Sequence, residues 1–257
     1  MEKYYYLIHI QYLGFRYHGW LKQPDLKTVE SMIEKTIRFV LGHSDFKILG
    51  TSRTDSKVSA NHSALELFVH DQLDIDQLVK DLNQNLPNDI KVIKIEEKDK
   101  NFNIINAPRI KEYIYLFSFG EKIHPFCAPL MCSIQDDLDL EIMKQGALLF
   151  KGKHNFKKYC TKPTLKTEFE RDVMVSKIEE NTFLKASFFP AKSYAFHIHS
   201  KGFLRYQVRL IMGQLFSLGR GEIGLEEIKE SLKGTDDKSL RHIAPPSGLI
   251  LNKIEFE

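Results

Sequence analysis

Leu49-Gly50-Thr51-Ser52-Arg53-Thr54-Asp55-Ser56-Lys57-Val58-Ser59-Ala60 is the segment on which the reading of this chain turns. Phe46 to Leu49 has strand character and stops at Gly50. Small and polar residues carrying Arg53 and Asp55 follow, and an apolar-rich run resumes near Ala64. An acid two residues from an arginine, on a turn instead of an exposed helix face, suits a nucleophile or base held by a cation. The same residues also suit an Asx-turn with an incidental surface arginine. Taken alone, the segment favours the second reading.

Working outward, the elements alternate in type. Tyr5–Tyr12 is rich in Tyr and Ile and reads as a strand. Thr28 is placed to cap a helix carrying Val29, Ile33, Ile37 and Val40 at helical spacing, with Gly42 as its stop. Ser63–Val69 is a strand candidate, Asp74 caps a helix with Leu78 and Leu82 inward, and Lys91–Ile95 is a short strand. Lys98–Arg109 is polar, contains Pro108 and reads as a crossing segment, so the division is placed as 1–104 and 105–257. Beyond it, Glu112–Phe119 is strand-like, Leu138–Phe150 helical, and 171–180, 182–189 and 193–200 are consecutive strands. Phe203–Leu218 is the longest amphipathic helix, with Leu204, Val208, Ile211, Leu215 and Leu218 as its stripe. On that reading Arg205 and Arg209, four apart, share an adjoining face. Leu225–Leu232 is a shorter helix and Gly248–Glu257 a closing strand. Runs of strands broken by helices define an α+β fold with largely antiparallel sheet.

At 257 residues the chain can build an ample core. Charged residues make up 28% and the mean hydropathy is −0.31, ordinary for a globular protein. No apolar stretch approaches the roughly 20 residues of a bilayer span, and the start of the chain lacks a signal-peptide pattern; the expectation is a cytoplasmic protein with no membrane partner. A net charge of +3 is compatible with a nucleic-acid partner without requiring one. Residues 151–166 are more telling: Lys151, Lys153, Lys157, Lys158, Lys162 and Lys166 occur with no acid among them, interleaved with His154, Phe156 and Tyr159. Such a run can neutralise phosphates while its aromatics face bases or the core, or it can be a solvated loop. Cys127, Cys132 and Cys160 form no C-x-x-C and, even with His124, fit no common zinc spacing, so they read as reduced structural thiols and no metal is assigned. His197 and His199 share a strand face, but no third ligand accompanies them.

Several short segments acquire meaning as a set. Tyr12-Leu13-Gly14-Phe15-Arg16-Tyr17-His18-Gly19-Trp20 is followed by Thr28-Val29, the Arg53–Asp55 loop, Leu86-Pro87-Asn88-Asp89-Ile90 and Tyr113-Ile114-Tyr115. Gly152-Lys153-His154-Asn155-Phe156, Phe203-Leu204-Arg205-Tyr206-Gln207-Val208-Arg209 and Ala244-Pro245-Pro246-Ser247-Gly248-Leu249 complete it. In this order the set closely resembles the TruA family of tRNA pseudouridine synthases, with its Y-x-G-x-x-[FY]-x-G-W, G-R-T-D-x-G-V-H-A, L-P-x-D-I, Y-x-Y, G-x-H-D-F and F-L-x-x-x-V-R segments. The resemblance runs from Tyr12 to Leu249.

That resemblance implies the pseudouridine synthase fold: mixed, largely antiparallel sheets flanked by helices, in two α/β subdomains with the active site in the cleft between them. It implies isomerisation of uridine in tRNA, most simply in the anticodon stem-loop, by a homodimer that needs no cofactor. By position, Asp55 would be the nucleophile, attacking either the ribose anomeric carbon or C6 of the base. Arg209 would be the cation paired with it, Tyr113 the tyrosine stacked on the uracil, and Arg53 the residue that fills the space left by an extracted nucleotide. Lys57, Lys153, Lys157, Lys158 and Arg205 are the further RNA-contacting candidates. Another RNA target, or an RNA-binding protein with weak or no catalysis, are the alternatives; the second sits poorly with the retention of Asp55, Tyr113 and Arg209 together.

The departures cluster in the opening segment. Ser52 and Lys57 stand where the family has glycines, Ser59 where it has histidine, and Asn155 where it has aspartate. If the second glycine position requires positive φ, Lys57 carries a cost of about 1–2 kcal/mol.

Overall fold

The computed structural model describes residues 3–234 and 240–256. Among these residues it is an α+β protein of ten strands and five α-helices, divided into two compact units. One unit is residues 1–109 with 251–257, and the other is 110–250. All strand pairs described within the units are antiparallel except one.

In the first unit the strands β1 (Tyr4–Tyr12), β2 (Lys47–Gly50), β3 (Ser59–Val69) and β4 (Ile90–Lys98) run in the order β4-β1-β3, with β2 on β3. Tyr6, Leu7, Ile8, His9 and Ile10 are all buried, as a central strand covered on both faces requires. Register slips between Ile10 and Tyr12, where Asn61 and His62 of β3 both fall opposite Gln11, a bulge at the approach to the 51–60 loop. Helix α1 (Val29–Leu41) starts as its sequence indicates: Thr28 Oγ1 accepts from Ser31 N at 3.2 Å and Ser31 Oγ accepts from Thr28 N at 3.1 Å. Gly42 ends it at φ 75°. Helix α2 (Ile75–Asn85) is capped by Asp74, whose carboxylate accepts from Gln77 N at 3.0 Å, and buries Leu78 and Leu82. The closing strand β10 (Leu249–Phe256) is shorter than read from sequence, and Glu257 lies outside the described residues.

In the second unit β5 (Pro108–Phe119), β7 (Gly152–Asn155), β8 (Glu170–Glu180) and β9 (Tyr194–Ser200) run in the order β5-β9-β8-β7, and β6 (Cys132–Ile134) pairs parallel to β5. Three helices, α3 (Leu140–Leu148), α4 (Gln207–Gly219) and α5 (Leu225–Ser231), belong to this unit. A Cβ on Gly146 of α3 would lie 2.3 Å from Leu218 of α4, so glycine there permits the close approach of the two helices. The three cysteines are buried and form no disulfide.

Two expectations are corrected. Residues 182–189 do not form a strand. Asn181 Oδ1 accepts from Phe183 N and Leu184 N while its Nδ2 donates to Leu184 O, so the backbone groups a strand would spend on neighbours are satisfied locally. The long helix starts at Gln207, not at Phe203. Tyr206 sits at φ 64° and Gln207 Oε1 accepts from Leu204 N at 2.8 Å, which turns the chain before the helix begins. Arg205 therefore stands ahead of α4 instead of one turn below Arg209 on it. The stripe itself holds: Leu204, Val208, Ile211, Leu215 and Leu218 are all buried.

Candidate active site

The 51–60 loop is irregular from Thr51 to Val58 and joins β3 at Ser59, yet little of it is left without support. Thr51 N donates to Ala64 O at 3.1 Å, which ties the loop's start to β3. Tyr12 and Thr54 hydroxyls share a 2.8 Å hydrogen bond, and Trp20 N donates to Thr54 O at 3.1 Å. Lys57 N and Ser56 Oγ both donate to Tyr17 O, at 3.0 and 3.3 Å. Ser59 Oγ accepts from Gly14 N at 2.9 Å. Val58 N donates to Asp55 O at 3.2 Å and closes the turn. The segment from Tyr12 to Trp20 is thus a bracket applied along one side of the loop.

The glycines of the bracket are there for contact. A Cβ on Gly14 would fall 1.9 Å from Val58 O, and one on Gly19, at φ 89°, would fall 2.7 Å from Thr54 O. Gly50 faces the sole tryptophan in the same manner, its Cβ position 2.4 Å from the Trp20 indole. Behind the bracket stands Asp89 of the L-P-N-D-I segment. Its carboxylate accepts from Tyr17 OH at 2.6 Å and from both the Nε and the Nη2 of Arg16, while its carbonyl accepts from Leu13 N at 2.9 Å. Burial pushes the Asp89 carboxyl up, but the Arg16 and Tyr17 hydrogen bonds outweigh it and hold the group below its ordinary value. Burial, followed by the bond to Asp89, raises the Tyr17 phenol to about 12. The sequence assigns Asp89 no task; an acid in a motif between helix and strand is the one signal it carries.

The outcome is a loop whose side chains are sorted. Thr54, Val58 and Ser59 point inward and are buried, Asp55 is half-buried, and Arg53, Ser56 and Lys57 are exposed. Lys57 adopts φ 66°, the left-handed region that glycine enters without a Cβ penalty. Its ammonium lies 5.7 Å from the Phe15 ring centroid. Ser59, in place of histidine, is the residue that accepts from Gly14, so that departure has a structural use here.

The second unit carries the other candidates on regular elements. Tyr113 lies in β5 opposite Ile198 of β9, and Phe203 meets its ring edge-on at 5.2 Å. Lys111, two residues earlier and therefore on the same strand face, is lowered to about 8 by burial. Arg209 donates from Nε to Ala244 O at 2.8 Å, and Ala244 N returns a bond to Arg209 O at 3.0 Å. The guanidinium also sits 5.0 Å from the Tyr206 ring centroid. Tyr115 OH donates to Pro245 O at 2.7 Å, and a Cβ on Gly248 would meet Leu116 O at 2.6 Å. The A-P-P-S-G-L segment is accordingly a brace that fixes Arg209 and the strand bearing Tyr113. Burial lowers His197 below its ordinary value.

In the lysine-rich stretch, Phe156 and Tyr159 are fully buried, so these aromatics serve the core. Lys153 pairs with Glu170 at 3.1 Å, both exposed, and Lys157 lies 5.8 Å from the Phe169 ring centroid. Asn155 Oδ1 accepts from Lys157 N at 3.0 Å, a capping bond that an amide makes as well as a carboxylate. Arg205 is exposed and lies over Tyr206 at 5.5 Å. Among the described residues no group of three or more His, Cys, Asp or Glu side chains could hold a metal ion, and no helix is long and apolar enough to cross a membrane.

A family model described as tRNA pseudouridine synthase matches residues 147–257. Over nearly its whole length the chain is also similar to curated relatives. It is 30% identical over 249 residues to tRNA pseudouridine synthase A of Thermodesulfovibrio yellowstonii, covering 96% of this chain and 97% of the relative. It is 32% identical over 249 residues to tRNA pseudouridine synthase A 2 of Clostridium perfringens, with the same coverage of both chains. The Dictyoglomus thermophilum tRNA pseudouridine synthase A is 30% identical over 253 residues, covering 97% of this chain and 98% of the relative. The chain belongs to the TruA family of tRNA pseudouridine synthases.

Proposed function

We propose that this protein isomerises uridine to pseudouridine in tRNA, with Asp55 as the nucleophile. The observation that carries the reading is the 51–60 loop, a segment braced along one side by the Tyr12–Trp20 bracket that leaves Asp55 half-buried beside an exposed Arg53. Preorganisation of this kind is what a nucleophile needs, since no reorganisation is then required at the moment of reaction. The N1–C1′ bond of the nucleotide breaks, the base turns while held, and a C5–C1′ bond replaces it. The proton leaves C5 and N1 gains one, so the product is an isomer. Asp55 holds one of the two fragments as a covalent adduct at C1′ or C6.

Arg209 supplies the positive charge, fixed in direction by its bond to Ala244. Tyr113 offers an aromatic face to the uracil, and Arg53 enters the gap left in the RNA stack. Lys57, Lys153, Lys157, Lys158 and Arg205 contact phosphates. The substrate uridines lie in the anticodon stem-loop, and the enzyme works as a cytoplasmic homodimer; family membership is the support for both. Replacement of Asp55 by Asn or Ala, assayed by tritium release from C5-labelled tRNA, is expected to lower turnover by at least about 10⁴ with RNA binding retained. Parental turnover in either variant would defeat the assignment.

A further inference from the structure

Two loops of the second unit pack together beyond the end of β5. Residues 122–133 include Lys122, His124 and Phe126; residues 181–193 include Phe183, Lys185, Phe188, Phe189 and Lys192. Neither segment contains an Asp or Glu, although Glu121 and Glu180 stand at their margins. Phe126 is 68% exposed in spite of its neighbours. The His124 ring lies 4.8 Å from it at 73°, and Phe188 lies 5.8 Å away at 86°. His124 Nδ1 accepts from Phe126 N at 3.2 Å, and Cys127 Sγ donates to Phe188 O at 3.3 Å, so the ring's support is itself fixed. Lys122, Lys185 and Lys192 are exposed on the same two loops.

An exposed aromatic ring held at low entropy cost, on loops with lysines and no carboxylate, matches what unpaired nucleic acid offers: a π-face for the ring and phosphates for the ammonium groups. The six residue steps from Tyr113 to Phe119 span about 20 Å of strand, so this surface is separate from the position of Tyr113. We propose that Phe126, with Lys122, Lys185 and Lys192, is an accessory RNA contact that stacks an unpaired base of the substrate at a distance from the reacting uridine. The proposal rests on the reading of the protein as an enzyme of tRNA.

The test uses the full chain and an unmodified tRNA transcript, with affinity, pseudouridine formation and sedimentation measured separately. Phe126→Ala is expected to weaken transcript binding roughly five- to a hundredfold, with turnover at saturating RNA and sedimentation both as in the parent. Phe126→Trp is expected to keep parental affinity, and its new indole to be quenched by the transcript; Trp20, 2% exposed, is the native background. Unchanged affinity in Phe126→Ala overturns the proposal. So does an affinity loss accompanied by a change in oligomeric state, which assigns the surface to a second copy of the chain. A parent that binds the transcript and forms no pseudouridine defeats the enzymatic reading instead, and a parent that does not bind it defeats both.

Discussion

The 51–60 loop and the Tyr113–Arg209 frame hold candidate catalytic groups by different physical means. In the first unit Asp55 sits on irregular backbone, and its position depends on cross-links: Tyr12 to Thr54, Tyr17 to Lys57 and Ser56, Gly14 to Ser59. In the second, Tyr113 belongs to a paired strand and Arg209 to a helix that is buried nearly all round, with one brace from Ala244. Hydrogen bonds to a loop are individually worth about 1 kcal/mol and are lost one at a time. Regular elements fail as units. The loop therefore offers graded control of one side chain, while the frame offers rigidity.

The difference can be broken at its strongest point with Gly14→Ala. The added Cβ would overlap Val58 O, so the loop or the bracket must move; a stability loss of about 3 kcal/mol is expected in urea unfolding, together with loss of activity. Arg209→Lys tests the frame. Lysine keeps the charge but not the planar fork that serves Ala244 O, and kcat/KM is expected to fall roughly thirtyfold with little change in melting temperature. An unaltered kcat/KM would separate Arg209 from the chemistry.

Asp89→Asn removes the anionic acceptor for Arg16 and Tyr17 behind the bracket, at an expected cost of about 1–2 kcal/mol. The pH dependence has a definite sign. The folded Asp89 carboxyl is held below its unfolded value, so its contribution is complete above about pH 4 and is lost as pH falls through the folded value. Melting temperature should then drop more steeply on acidification in the parent than in the variant. Lys57→Gly gives the smallest effect and the opposite sign. Relief of the left-handed backbone at φ 66°, partly offset by the greater freedom of unfolded glycine, is expected to stabilise by about 0.5–1 kcal/mol. A destabilised Lys57→Gly would mean that the contact with Phe15 matters more than the strain.

The features legible in the sequence were those written in neighbouring residues. Thr28 and Gly42 bound α1, Asp74 caps α2, and the condition of positive φ attached to Lys57 is met. The misreadings arose where a side chain captured local backbone: Asn181 abolished a strand at 182–189, and Gln207 with Tyr206 delayed a helix. Nor could spacing reveal that Asp89 supports Tyr17, since the two are linked only through the packing of β1 against β4. Motif order identified the pieces of the loop's support, while the hydrogen bonds that join them required coordinates.

The bracket also bears on how the protein comes to be active. The bonds that fix the 51–60 loop reach back 42 residues from Thr54 to Tyr12 and 45 from Ser59 to Gly14, and those behind them reach 72 from Tyr17 to Asp89. Closing such distances carries an entropic cost that contacts between neighbouring residues do not. A nascent chain that has emerged only to α2 lacks Asp89 and cannot complete the support of Asp55. Competence thus arrives after the sheet of the first unit has closed, and a partly folded chain has no fixed carboxylate with which to attack RNA.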